Sequence, residues 1–182
     1  ASYVCCVVCW VEAATEIYTR SLQEWCGIWT SDTLPETSKG SIEGLTVYRR
    51  YGNRDDPGGK TGHGAAKLRG QQRAAVRAVT HPLVRSHPIT GRKALYAVAG
   101  TSHGIVGMAD EAAVALLDEL KAHATQSRFT YSHAYAAGDV VAWDDTATLH
   151  AATLIDPATG PDDTRMLYRL SIKGAPDAFT PV

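Results

Sequence analysis

No apolar run in this sequence approaches the roughly 20 residues that a bilayer-spanning helix requires, so no helical membrane span is expected. Charge of one sign is missing too. Eighteen basic residues stand against 19 acidic ones, for a net charge of −1, and this balance recommends neither a nucleic acid nor a membrane surface as partner. The opening Ser2–Trp10 stretch is apolar but has no basic start and no small-residue cleavage site, so it does not read as a signal peptide. Cysteine is limited to Cys5, Cys6, Cys9 and Cys26. Cys6 and Cys9 have CxxC spacing, but no second pair follows to complete a zinc site, and on a strand the two point to opposite faces. Buried, reduced thiols in a cytoplasmic protein are the expectation. Pro57-Gly58-Gly59-Lys60-Thr61 echoes a phosphate loop, yet the first glycine of that pattern falls on Arg54. With no repeats, no low-complexity tract and 182 residues of which 45% are hydrophobic, residues 1–182 read as one globular domain.

What is present centres on two segments. Trp143-Asp144-Asp145-Thr146-Ala147-Thr148-Leu149-His150 reads as a strand closed by an imidazole, and Arg165-Met166-Leu167-Tyr168-Arg169 starts another. Side chains alternate across a strand, so Arg165, Leu167, Arg169 and Ser171 share one face. Met166, Tyr168, Leu170 and Ile172 share the other, which is apolar enough to pack in a core. The arginine face then looks either to solvent or into a polar cavity, where forked guanidiniums suit a carboxylate or sulfonate.

The rest of the chain reads as β-rich with attached helices. Residues 2–9, 46–51, 94–98, 129–135, 140–143, 147–151 and 166–172 are expected as strands, and 15–19 as a further short one. Pro35–Leu45 carries a helix-start pattern. From Asp110 to His123 the periodicity is helical, with Asp110 as cap and Val114, Leu117 and Leu120, with Leu116 alongside, as the apolar stripe. Residues 52–79 are rich in Gly, Arg and Gln and are expected to be irregular.

Five pieces in a fixed order carry a family resemblance: HPLVRSHPITGRKALY (81–96), GIVGM (104–108), ALLDELKAHATQSRFTY (115–131), GDVVAWDDTATLHAAT (138–153) and RMLYRLSIKG (165–174). With thinner matches upstream, they resemble the taurine dioxygenase / 2,4-dichlorophenoxyacetate dioxygenase family of Fe(II)- and 2-oxoglutarate-dependent oxygenases. The resemblance implies a mainly β fold with flanking helices, the double-stranded β-helix or jelly roll. It also implies Fe(II) as metal, 2-oxoglutarate and O2 as co-substrates, and hydroxylation of a small, anionic organic molecule. By position, His150 matches the distal histidine ligand of the iron. Arg165 matches the arginine that pairs with the far carboxylate of 2-oxoglutarate, and Thr15 a threonine hydrogen-bonded to that carboxylate. Arg169 matches a residue facing the substrate's anionic group, and His103 sits where relatives carry residues near the substrate. The bland alternatives are a strand threonine at Thr15 and a loop histidine at His103.

Such an iron site takes two histidines and a carboxylate on one face of the metal. The family draws the first histidine and the acid from a His-x-Asp motif, and none of the seven histidines here is followed two residues later by an acid. Alignment puts that motif just before Ala1, so the expectation is an N-terminally truncated member with an incomplete sheet. A replacement built on His103 or His133 with a nearby aspartate is the alternative within the chain. The rival class is a non-catalytic jelly-roll module or inactive fragment that binds a small anion through Arg165 and Arg169. Asp145 stands where asparagine is common and Ala151 where arginine is common, both beside His150. A homo-oligomer is left open.

Overall fold

The computed structural model describes residues 4–11, 21–24, 30–50, 52, 54, 77–87, 90–136, 138–145, 147–150 and 167–174. Thr15, Arg165, the expected strand at 15–19 and most of residues 52–79 lie outside this set.

All of the described strand pairs are antiparallel. β1 (Val4–Val11) lies between β9 (Val140–Asp144) and β10 (Leu167–Gly174), with Cys9 opposite both Val141 and Arg169. β2 (Ser21–Glu24) pairs with β8 (Tyr131–Ala134). β3 (Thr46–Arg49) lies between β4 (Val79–Pro82) and β7 (Ser102–Ile105), and β5 (Val84–Ser86) pairs with β6 (Lys93–Leu95).

The sheet around β1 corrects one expectation. Tyr168 and Leu170, assigned to a core-facing side, are 47% and 62% exposed. Register explains it. Tyr168 lies opposite Trp10, which lies opposite Val140, itself 62% exposed. The alternate positions Val141 and Trp143 of β9 are half-buried. Alternation identifies which residues share a face; it does not say which face meets the core. Here the covered side is the one that includes Val141 and Trp143.

The main core joins two helices to the β3 and β5–β6 sheets. α1 (Glu36–Ile42) begins after Pro35 and buries Ile42. It ends where Gly44 takes a φ of +87°, a left-handed turn open to glycine, and Leu45 N–H donates to the Ile42 carbonyl. α2 (Asp110–Ala124) buries Ala113, Leu117, Leu120 and Ala124, a stripe at helical spacing, while Val114 and Leu116 are half-buried. Small Ala113 and Ala124, rather than Val114, flank the two leucines. Asp110 lies inside the first turn and Ala109 takes the cap position without a side-chain bond, so the acid acts through the helix dipole and not as a cap. Leu117 and Leu120 meet Val47, Leu83, Leu95 and Ile105 in one cluster.

Candidate functional site

β9 carries the chain to Asp144 and there the ladder stops. The Asp144 carbonyl accepts the Ala147 N–H at 3.2 Å, the Thr148 N–H at 3.0 Å and the Thr148 hydroxyl at 2.7 Å. These local bonds offer the backbone an alternative to pairing, so Ala147–His150 forms a turn and coil, not the expected strand. Leu149 packs against the core cluster and anchors the segment.

His150 follows with its side chain 40% exposed. Its Nδ1 lies 3.5 Å from the Asp145 carboxylate, an ion-pair contact longer than a hydrogen bond. The same carboxylate oxygen accepts the Trp143 Nε1–H at 2.9 Å, and the Trp143 and His150 rings sit 5.2 Å apart. A carboxylate on the Nδ1 side favours the proton there, which leaves the lone pair on Nε2, the arrangement common to metal-binding histidines. Asp145, the departure from asparagine, is thus the residue that touches the candidate ligand.

Behind this turn sits a contact the sequence did not reveal. His87 is 8% exposed, and its Nε2–H donates to the Asp144 carboxylate at 2.8 Å. The tautomer follows from the other nitrogen, because Nδ1 accepts the Thr90 N–H at 3.1 Å. The pair ties the β5–β6 connection to the segment that bears His150. Asp144→Ala removes the acceptor from a buried N–H and is expected to lower stability by about 1–3 kcal/mol. Urea unfolding checks this, and hydrogen exchange at the Thr148 amide should speed up in the same variant.

The other expected residues that are described lie on other strands. Arg169 lies in β10 with its backbone opposite Cys9. His103 is a half-buried strand residue of β7, not a loop histidine, and its Nε2 lies 3.3 Å from the Gly52 carbonyl. His133 pairs with Asp139 at 3.1 Å, and the Ala136 N–H, with His133 adding to it, holds the Asp139 carboxyl below the usual carboxylate range. That pair recruits no further ligand: among the described residues no group of three His, Cys, Asp or Glu side chains gathers as a metal site. His150 therefore fits one ligand of a facial triad, and the described residues do not supply the complete set. A surface pocket beside α1, lined by Asp32, Glu36, Glu43 and Lys93 among others, contains none of the expected site residues.

The model of the taurine catabolism dioxygenase TauD, TfdA family matches residues 30–171. The chain belongs to the TauD/TfdA family. It is similar to the alpha-ketoglutarate-dependent 2,4-dichlorophenoxyacetate dioxygenase of Cupriavidus pinatubonensis, 37% identical over 125 residues, covering 69% of this chain and 42% of that protein. It is also similar to pentalenolactone F synthase of Streptomyces arenae, 41% identical over 78 residues, covering 43% of this chain and 26% of that one. The chain thus spans less than half the length of these two relatives. Among solved structures, AAD-2 in complex with Mn(II) and N-oxalylglycine superposes with a TM-score of 0.75 at 24% identity, over 94% of this chain and 64% of that one. That likeness establishes the fold, the jelly roll of TauD-type dioxygenases. No helix among the described residues is long and apolar enough to cross a membrane.

Proposed function

We propose that this chain forms part of an Fe(II)- and 2-oxoglutarate-dependent dioxygenase that hydroxylates a small anionic organic substrate, with O2 as oxidant and succinate and CO2 as co-products. The observation that carries the reading is His150 held beside Asp145 and Trp143, inside the stretch that matches the TauD/TfdA family. His150 would hold the iron through Nε2, with the two remaining ligands supplied by a His-x-Asp pair that residues 1–182 do not contain. When bound, the metal supplies the oxidative chemistry, and the protein orients substrate and excludes water.

The chain's own residues have separate tasks in this reading. Arg165 pairs with the far carboxylate of 2-oxoglutarate and Thr15 adds a hydroxyl donor to it. Arg169 faces the substrate's carboxylate or sulfonate, and His103 contributes a substrate contact. Asp145 keeps the His150 proton on Nδ1. A cytoplasmic location belongs to the same reading.

Arg165→Ala tests the assignment of the co-substrate pocket. A charge-assisted bond contributes about 1.5–3 kcal/mol, so 2-oxoglutarate affinity measured by calorimetry should fall roughly 10- to 150-fold. An unchanged affinity in a folded variant counts against Arg165. A second reading, a non-catalytic module that binds a small anion through Arg165 and Arg169, is favoured by one observation: no histidine of the chain stands two residues before an acid. Both readings predict the Arg165 result, and turnover after restoration of the missing ligands separates them.

A further inference from the structure

Two guanidinium groups, one from β3 and one from β5, lie against one aromatic ring, that of Tyr96 just after β6. Arg85 of β5 places Cζ 5.1 Å from the Tyr96 ring centroid, and Arg49 of β3 places its Cζ 5.7 Å away. His81 of β4 meets the same ring edge-on, at 5.6 Å and 75°. All four residues are half-buried. Register brings them together: Val47 lies opposite His81 with Arg49 two residues on, while Arg85 lies opposite Ala94, two residues before Tyr96.

The charge arrangement differs from that of four other described cations. Arg54, Arg92, Lys39 and Lys93 each pair with a carboxylate. Among the described residues no carboxylate pairs with Arg49 or Arg85. Arg49 spends its Nε–H and one Nη–H on the Thr101 hydroxyl, at 3.3 and 3.0 Å, and Arg85 has the ring contact. Two like charges gathered at one ring repel each other, and the ring quadrupole offsets only part of this. Burial, then Arg49 and Arg85, holds the His81 pKa below the ordinary histidine value, so the imidazole is neutral at pH 7 and keeps one N–H donor. The cluster thus offers two permanent cations, a neutral donor and the Tyr96 hydroxyl, and among the described residues no side-chain carboxylate pairs with either cation.

We propose that Arg49 and Arg85, framed by Tyr96 and His81, form a binding site for a small oxyanion: the carboxylate, sulfonate or sulfate group of a ligand. Guanidinium forks match the paired oxygens of such groups. The site is built from residues other than Thr15, Arg165, Arg169 and His150, and it does not depend on the dioxygenase reading.

Inorganic sulfate is the probe, titrated at constant ionic strength against chloride while the ring resonances of His81 and Tyr96 are followed by NMR. The expected result is a saturable shift of both residues with sulfate and none with chloride. Arg49→Gln and Arg85→Gln should each raise the midpoint at least tenfold, about the worth of one charge-assisted bond. Arg165→Ala should leave the midpoint unchanged. If a glutamine variant fails to fold, Arg85→Lys serves instead, because it keeps the charge and loses the fork; its midpoint should also rise. Equal shifts with chloride, no saturation, or a midpoint indifferent to Arg85→Lys and to the folded glutamine variants would overturn the proposal. A midpoint moved by Arg165→Ala would overturn the separateness of the site.

Discussion

His150→Ala is expected to abolish turnover in a chain that carries the His-x-Asp ligands, with a loss well beyond the 10- to 100-fold typical of residues that merely support a metal ligand. The expectation rests on geometry as well as on the family. His150 leaves a turn fixed by three bonds to one carbonyl, that of Asp144, and faces the Asp145 carboxylate with Nδ1. The turn and the Asp145 carboxylate thus both bear on the imidazole, and among the described residues no cluster of three metal-ligating groups is present. Asp145→Ala keeps the histidine and removes its backing, so it should fall within the 10- to 100-fold range of such supporting residues. Steady-state assays of 2-oxoglutarate consumption check both variants. If His150→Ala kept more than a tenth of the activity, the ligand would have to be another residue.

Leu117→Ala should lower stability by about 2–5 kcal/mol. Leu117 is fully buried on the inner face of α2 and belongs to the cluster with Val47, Leu83 and Ile105. Truncation there forfeits transfer energy and leaves a cavity between a helix and a sheet, two elements with little freedom to collapse into it. Total stabilities of single domains are about 5–15 kcal/mol, so this one change removes a large share. Denaturant unfolding should show a lowered midpoint with an unaltered slope. The half-buried Leu116, one position away, should lose clearly less when truncated in the same way.

The parts of the fold that were legible in the sequence are those whose pattern is local. α2 announces itself by its 3–4 spacing, and β9 by the apolar run that ends at Asp144. Short strands such as β4, β5 and β7 leave no mark in the sequence, because three or four residues hold no periodicity, and β4 and β7 both pair with β3, far away in sequence. The Tyr168 and Leu170 face was assigned to the wrong side because the covered side depends on what packs on the sheet. The expected strand at 147–151 failed for a chemical reason, the capture of the Asp144 carbonyl by Thr148.

The candidate site divides in the same way. His150 stands out as a candidate through the Trp-Asp-Asp to His spacing and the order of the family's pieces. His87 was invisible as a partner because Asp144 is 57 residues away, and a buried histidine with a satisfied ring leaves no mark in composition. The convergence of Arg49 and Arg85 on Tyr96 is likewise a product of strand pairing. Asp145, by contrast, was flagged by its departure from asparagine, and the structure places it against His150.

In the proposed function His150 is one ligand of an iron site whose other two lie in a His-x-Asp pair. An anaerobic titration with Fe(II) and 2-oxoglutarate tests it, comparing residues 1–182 with the same chain fused to the His-x-Asp-bearing segment of a relative. The visible metal-to-ligand charge-transfer band is expected in the fused protein, with none in residues 1–182 alone, and it should be lost from the fused protein on His150→Ala. A band that persists in the fused His150→Ala variant, or no band in a folded fused protein, would contradict it.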